Sequence, residues 1–364
     1  MTLDELPLIT PDLEGTGGQI KVEPDHFVVD EVPLYEPSGQ GDHLFVCLTR
    51  SGRTTQEVVA DLAAELQVPA RDIGYAGLKD KQARATQVFS LPKVRPEEAQ
   101  RAAGALGLEL HWAVPHNKKL HPGHLLGNRF TITVLDPTVP DPVACAGVVV
   151  AALQERGLPN YFGAQRFGKW GDNADHGLAV LSGQMRRPGA KWLHELMISA
   201  YQAQLFNEYL ALRLKRGLFD CILDGELAKK TDTGGMFIVQ DVATDQARFD
   251  RGDITYTGPL FGYDMWWPQG AAAELEAEVL ATSPVRPEDW RRHRVSGSRR
   301  PAKLFLQTID LQPHPHGFVI SFFLPKGAYA TILLREVLKA EPELLPDGET
   351  SALNADGRPP TADG

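Results

Sequence analysis

Cysteine is scarce: Cys47, Cys145 and Cys221 are the three in 364 residues, and they lie far apart. That excludes a disulfide framework or a cysteine-rich zinc site, and a reducing, cytoplasmic setting is expected. Long apolar runs are lacking too. The longest, 143–153, is well short of the ~20 residues a membrane helix needs, so no membrane partner is expected. Before Glu31 the only Lys or Arg is Lys21, and no secretory or transit leader is expected. The chain has no Gly-x-Ser-x-Gly elbow, no phosphate loop and no Gly-x-Gly-x-x-Gly. His194-Glu195 is followed by Ile198 where a zinc protease motif needs a second histidine. His116, His121 and His124 have no cysteine or carboxylate beside them. Neither a metal nor an organic cofactor is expected.

Cations are also outnumbered, 37 Lys and Arg against 47 Asp and Glu, a net charge of −10. Taken as an average, this argues against a nucleic-acid partner, but binding depends on where the cations lie. Seven of the acids follow residue 335, mostly on a Pro/Gly-rich tail. Three stretches hold no acid at all: 110–135 with Lys118, Lys119, Arg129 and four histidines; 156–171 with Arg156, Arg166 and Lys169; and 290–309 with six cations, among them Arg299, Arg300 and Lys303. Each is read as a solvated face or as part of a polyanion site.

What remains is a chain with 43% hydrophobic residues, enough for a real core in one large or two moderate domains. β-like runs are expected at 27–32, 43–48, 73–75, 86–91, 129–134 and 318–324. Thr54 or Thr55 can cap a helix that places Val58, Leu62 and Leu66 on one face. Further helices are expected at 96–106, 141–156, 191–215, 271–281 and 330–338. Sheet-forming ends around a helical middle imply a mixed α/β domain interrupted by a largely helical insert.

Three segments are dense in unusual residues. Gly77-Leu78-Lys79-Asp80-Lys81 sets an acid between lysines, with Arg84 following. The cations favour an ionised Asp80, suited to a nucleophile or electrostatic stabiliser, although the segment alone reads more readily as a plain charged hairpin turn. Asn160 to Gly168 packs aromatics, glycines and Arg166 into nine residues, as a base-stacking platform or a tight domain junction would. Leu324-Pro325-Lys326-Gly327-Ala328-Tyr329-Ala330-Thr331 delivers an aromatic to a helix start, which is either an anion site or an ordinary connection.

Together with Phe27-Val28-Val29 and Gly127-Asn128-Arg129-Phe130, these segments resemble, in the same order, the TruD family of tRNA pseudouridine synthases, over about residues 15–340. The resemblance implies an α/β (α+β) pseudouridine synthase catalytic domain with a mixed, mainly antiparallel sheet, at 1–155 and 304–340. A family-specific insert would occupy 156–303, and 341–364 would be an acidic tail. It implies isomerisation of uridine 13 in the D arm of tRNA, without a cofactor, and Asp80 as the catalytic carboxylate. Phe27, Asn128 and Tyr329 fall on positions that contact the target nucleotide, and Lys21, Lys79 and Glu31 are grouped with them as substrate-binding residues. Lys81, Arg84, Arg166, Arg299 and Arg300 are expected to grip RNA. The family commonly has Phe where Tyr329 stands. No protein partner is implied. Two other readings are a catalytically silent RNA-binding or RNA-chaperone protein on the same fold and a carboxylate-based nucleoside hydrolase or glycosidase.

Overall fold

A computed structural model describes residues 5–340; the tail expected at 341–364 lies outside the described residues. The described chain divides into two compact units, one of 16–146 with 307–327, the other of 5–15, 147–306 and 328–340.

In chain order the elements begin with β1 (Phe27–Pro33), β2 (His43–Arg50), α1 (Thr55–Leu66), β3 (Gly74–Tyr75), β4 (Arg84–Pro92), α2 (Pro96–Ala105), β5 (Glu109–His116), β6 (Leu125–Leu135) and α3 (Pro142–Arg156). There follow β7 (Leu158–Pro159), α4 (Asn173–Leu181), α5 (Lys191–Lys215), β8 (Leu227–Lys230), β9 (Met236–Ile238), α6 (Val242–Asp250) and β10 (Ile254–Leu260). The last are α7 (Gly270–Thr282), α8 (Pro287–Arg292), β11 (Ser298–Pro301), β12 (Lys303–Leu304), β13 (Asp310–His314), β14 (Gly317–Pro325) and α9 (Ala330–Leu338).

The first unit is built on an eight-stranded sheet in the order β13-β14-β6-β1-β4-β2-β5, with β3 added to β4. Its β1–β4 pair is parallel and the other pairs are antiparallel. This is the mixed, mainly antiparallel sheet expected. Alternation sets the faces: β14 buries Phe318, Ile320, Phe322 and Leu324, and β1 buries Phe27, Val29 and Glu31. On the β2–β4 side, Leu44, Val46, Leu48, Phe89 and Leu91 meet Val58 and Leu62 of α1 and Ala99 and Ala103 of α2. Each fully buried aliphatic or aromatic side chain there stabilises the fold by roughly 1.5–3 kcal/mol.

Thr54 caps α1, taking the Glu57 N–H while Glu57 takes its own, and this leaves Thr55 free for another task. Gly127 is required by close approach. A Cβ there would lie 2.1 Å from the Leu324 carbonyl oxygen and 2.6 Å from the Phe323 ring of the neighbouring strand. Its absence lets β14 lie flat beside β6, where Asn128 is the next residue.

The second unit is organised around α5, which packs on α4, α7 and β10. Beside these helices stands a four-stranded antiparallel sheet, β11-β10-β8-β9, which the sequence reading of a largely helical insert missed. Three of its strands, β8, β9 and β11, are no longer than four residues. Leu-Ala-Lys-Lys in β8 and Ser-Arg-Arg-Pro in β11 show none of the apolar alternation by which strands are recognised.

Candidate active site

The Gly77–Lys81 loop of the first unit is not a solvated turn. Its lysine, Lys79, is buried, and its ammonium meets the buried Glu31 carboxylate at 2.7 Å. The other Glu31 oxygen accepts the Val88 N–H at 3.3 Å. One carboxylate from β1 thus holds both the loop and the strand that follows it. The Lys79 N–H donates to Thr55 Oγ1 at 2.9 Å, and Thr55 Oγ1 donates to Gln87 Oε1 at 3.0 Å. Arg50, at the end of β2 and 2% exposed, donates to the carbonyls of Lys79 and Asp80, each at 2.9 Å. Burial draws its guanidinium down to about 10, still charged at neutral pH. Lys81 pairs with Glu57 of the capping box at 3.1 Å.

With its backbone fixed on several sides, the loop presents Asp80, whose side chain is 36% exposed. The cation that meets it is Lys21, with Nζ 3.0 Å from Asp80 Oδ2 and a side chain only 3% exposed. Lys21 adopts a left-handed φ of 59°, a conformation that costs a non-glycine residue of order 1–3 kcal/mol and clusters at functional sites. Its ammonium also stands 4.4 Å from the centre of the Phe27 ring. Phe27, 3% exposed, meets Phe130 edge-on at 6.1 Å, and Phe130 stacks on Phe322 at 5.4 Å. The floor under Lys21 is therefore a packed aromatic row. Asn128 pairs with Glu31 in the β1–β6 register, and its Oδ1 is buried with no hydrogen-bond partner. A buried acceptor without a donor is costly unless a ligand supplies one.

These placements revise several expected roles. The sequence sets Lys79 and Lys81 beside Asp80 as its cations and as phosphate contacts. Lys79 is instead held by Glu31 in a buried pair, whereas Lys81 meets Glu57 in a part-exposed one. Lys21 is the ammonium at the carboxylate. Arg84 is exposed between Asp25 and Glu109, at 3.6 and 3.4 Å. Arg50, Thr55 and Gln87, which position the loop, were missed. The one signal for them is an arginine closing the apolar run of β2.

The second unit carries the other expected residues. Tyr329 is the residue before α9, 6.0 Å from Phe162 between ring centres, and burial pushes its hydroxyl up, so the phenol is neutral at physiological pH. Phe162 is 6% exposed and clamped by Asn207, which accepts its N–H at 2.8 Å and donates to its carbonyl at 3.0 Å. With Tyr161 also buried, these rings are core and not an open stacking platform. Arg300 donates to the Asn160 backbone and side-chain oxygens and lies 4.0 Å from the Phe162 ring centre; burial lowers it to about 10. Arg299 meets Glu276 at 2.6 Å, both side chains 2% exposed. The expected RNA contact of Arg299 is thereby corrected: a guanidinium sealed against a carboxylate cannot reach a phosphate. Arg166 is half-buried 5.6 Å from the Phe162 ring, and its Nε has no hydrogen-bond partner.

His116 and His124 belong to an aromatic cluster with Tyr35. Ser38 donates its N–H to His116 Nδ1 at 3.0 Å, and the Tyr35 hydroxyl meets His124 Nδ1 at 2.9 Å. Among the described residues no helix is long and apolar enough to cross a membrane.

The family model described as tRNA pseudouridine synthase D (TruD) matches residues 5–188 and 189–337. The tRNA pseudouridine synthase D of Thermus thermophilus is 44% identical over 338 residues, spanning 93% of each chain. That of an Anaeromyxobacter species is 43% identical over 349 residues, 94% of this chain and 98% of its own. In fold, a Methanosarcina mazei crystal structure assigned to tRNA pseudouridine synthase D superposes with a TM-score of 0.75 at 23% identity, over 93% of this chain and 97% of that one. Sequence and fold agree along nearly the whole length, and the chain belongs to the TruD family of tRNA pseudouridine synthases.

Proposed function

We propose that the protein isomerises uridine 13, in the D arm of tRNA, to pseudouridine, with Asp80 as the catalytic carboxylate. One observation carries this reading: in a chain of this family, the Gly-Leu-Lys-Asp loop offers a part-exposed carboxylate on a buried ammonium, its backbone pinned by Arg50.

The reaction breaks the N1–C1′ bond, rotates the uracil and joins C5 to C1′; C5 then loses its proton and N1 gains one. Atoms balance without an oxidant or reductant, so the protein's task is to hold and orient. Asp80 meets the electron-poor C1′, as a nucleophile or as a counter-ion. Lys21 fixes the carboxylate and, through Phe27, is itself fixed. Asn128 Oδ1, short of a donor, suits an N–H of the uracil edge. The target base must leave its stack, at a cost of a few kcal/mol. Tyr329 stands in the second unit, and its contact with the base rests on the resemblance alone. The cytoplasm is where such a substrate is met.

Mapping pseudouridine in tRNA from cells with and without the protein tests the proposal. Loss of the modification at position 13 alone is expected. Free uracil released from tRNA by the purified protein, with no pseudouridine formed, would show a hydrolase instead.

A further inference from the structure

We propose that a cavity beside the Asp80 loop seats a second nucleotide of the RNA, its phosphate on Lys119 and Arg71. This rests on the reading of the protein as an RNA-modifying enzyme and adds a contact away from the target base. The cavity, of about 340 Å³, lies in the first unit between α1, the turn at 70–72, β3 and the 119–122 loop. That volume falls at the small end of ligand sites, in the range ~300–1,000 Å³.

Its lining is divided in kind. Val59, Ala60, Ile73 and Leu120 supply an apolar surface, and Tyr75 an aromatic one. Arg71, Lys119 and His121 supply the polar part, and no carboxylate is among the lining residues. Lys119 donates to the Arg71 carbonyl, which holds its ammonium close to the turn that carries the guanidinium. An aromatic and apolar surface beside two cations is what a base with its phosphate requires, and stacking on an aromatic tolerates any base. In the acid-free stretch at 110–135, Lys119 and His121, which the Asp80 site does not use, thereby acquire a role.

The cavity is tied to the catalytic loop through the chain on two sides. Tyr75 precedes Asp80 by five residues, at most roughly 18 Å of extended chain. Gln56, another lining residue, adjoins Thr55, whose hydroxyl takes the Lys79 N–H. The occupant would therefore belong to the same bound RNA as the target uridine.

The test compares Lys119→Gln, alone and with Arg71→Gln, against Lys119→Arg in the full-length protein, after each is shown to melt normally. The readouts are tRNA affinity against salt concentration and single-turnover rate. The glutamine variants should weaken tRNA binding several-fold and flatten the log–log salt slope by roughly 0.7–0.9, the contribution of one phosphate. Lys119→Arg should keep the wild-type slope, and the loss in rate should be recovered at saturating tRNA. A wild-type slope in Lys119→Gln overturns the proposal, as does a rate that stays low at saturation. Failure of the wider functional reading would look different, since the wild-type protein would then make no pseudouridine at all.

Discussion

Lys21 and Asp80, 59 positions apart in the chain, meet at 3.0 Å, the ammonium buried and the carboxylate partly open to solvent. The pair orients the carboxylate without sealing it away. A hydrogen bond to a charged group is worth roughly 1.5–3 kcal/mol, and losing that much in the transition state slows a reaction by about 10- to 100-fold. Lys21→Met should lower the single-turnover rate by that factor and leave tRNA affinity within a few-fold. A variant that turns over at the wild-type rate would show that Lys21 has no part in positioning Asp80.

The Glu31–Lys79 pair is of another kind, because both side chains are buried. Removing one partner strands a charge, which typically costs about 3–5 kcal/mol, whereas removing both is often near neutral. Glu31→Gln should therefore destabilise strongly in urea melts, and Glu31→Gln with Lys79→Met should recover most of the loss. If the double variant is as unstable as the sum of the two singles, the pair does not act as a unit.

Arg299 is sealed against Glu276, whose carboxyl burial raises even with the guanidinium present. Arg299→Ala should cost about 3–5 kcal/mol at neutral pH and leave the salt slope of tRNA binding unchanged. Without its cation Glu276 is held still higher in the folded state. A carboxyl raised in this way favours folding at low pH, where it is protonated, and disfavours folding as pH rises through its folded value. The loss in Arg299→Ala should thus be smaller at pH 5 than at pH 7. A flattened salt slope with normal stability would instead place Arg299 on the RNA.

The contrast between Asp80 and Arg299 shows what the sequence can and cannot convey. Local pattern marked the loop as unusual, and the resemblance gave Asp80 its role: Gly-Leu-Lys-Asp is contiguous, and the elements of its own unit follow their periodicity, as α1 does with Val58 and Leu62 on its buried face. Charge pairing is not local. Glu31 lies 48 residues from Lys79, and Glu276 lies 23 from Arg299 on a separate helix. A run such as 290–309 therefore looks like a basic face until the acid that quenches it is found elsewhere. Arg50 went unnoticed for the same reason, since its partners are backbone carbonyls about 30 residues away.

Asp80 as the catalytic carboxylate is the central claim, and Asp80→Asn tests it most directly. The amide has nearly the same shape, can still accept from Lys21, and cannot supply a negative charge at C1′. Single-turnover pseudouridine formation should be measured on tRNA bound to wild type and variant, with affinity and melting temperature checked alongside. Pseudouridine should form with wild type and be undetectable with Asp80→Asn, while affinity changes no more than a few-fold. Appreciable pseudouridine from the Asn variant would contradict the assignment.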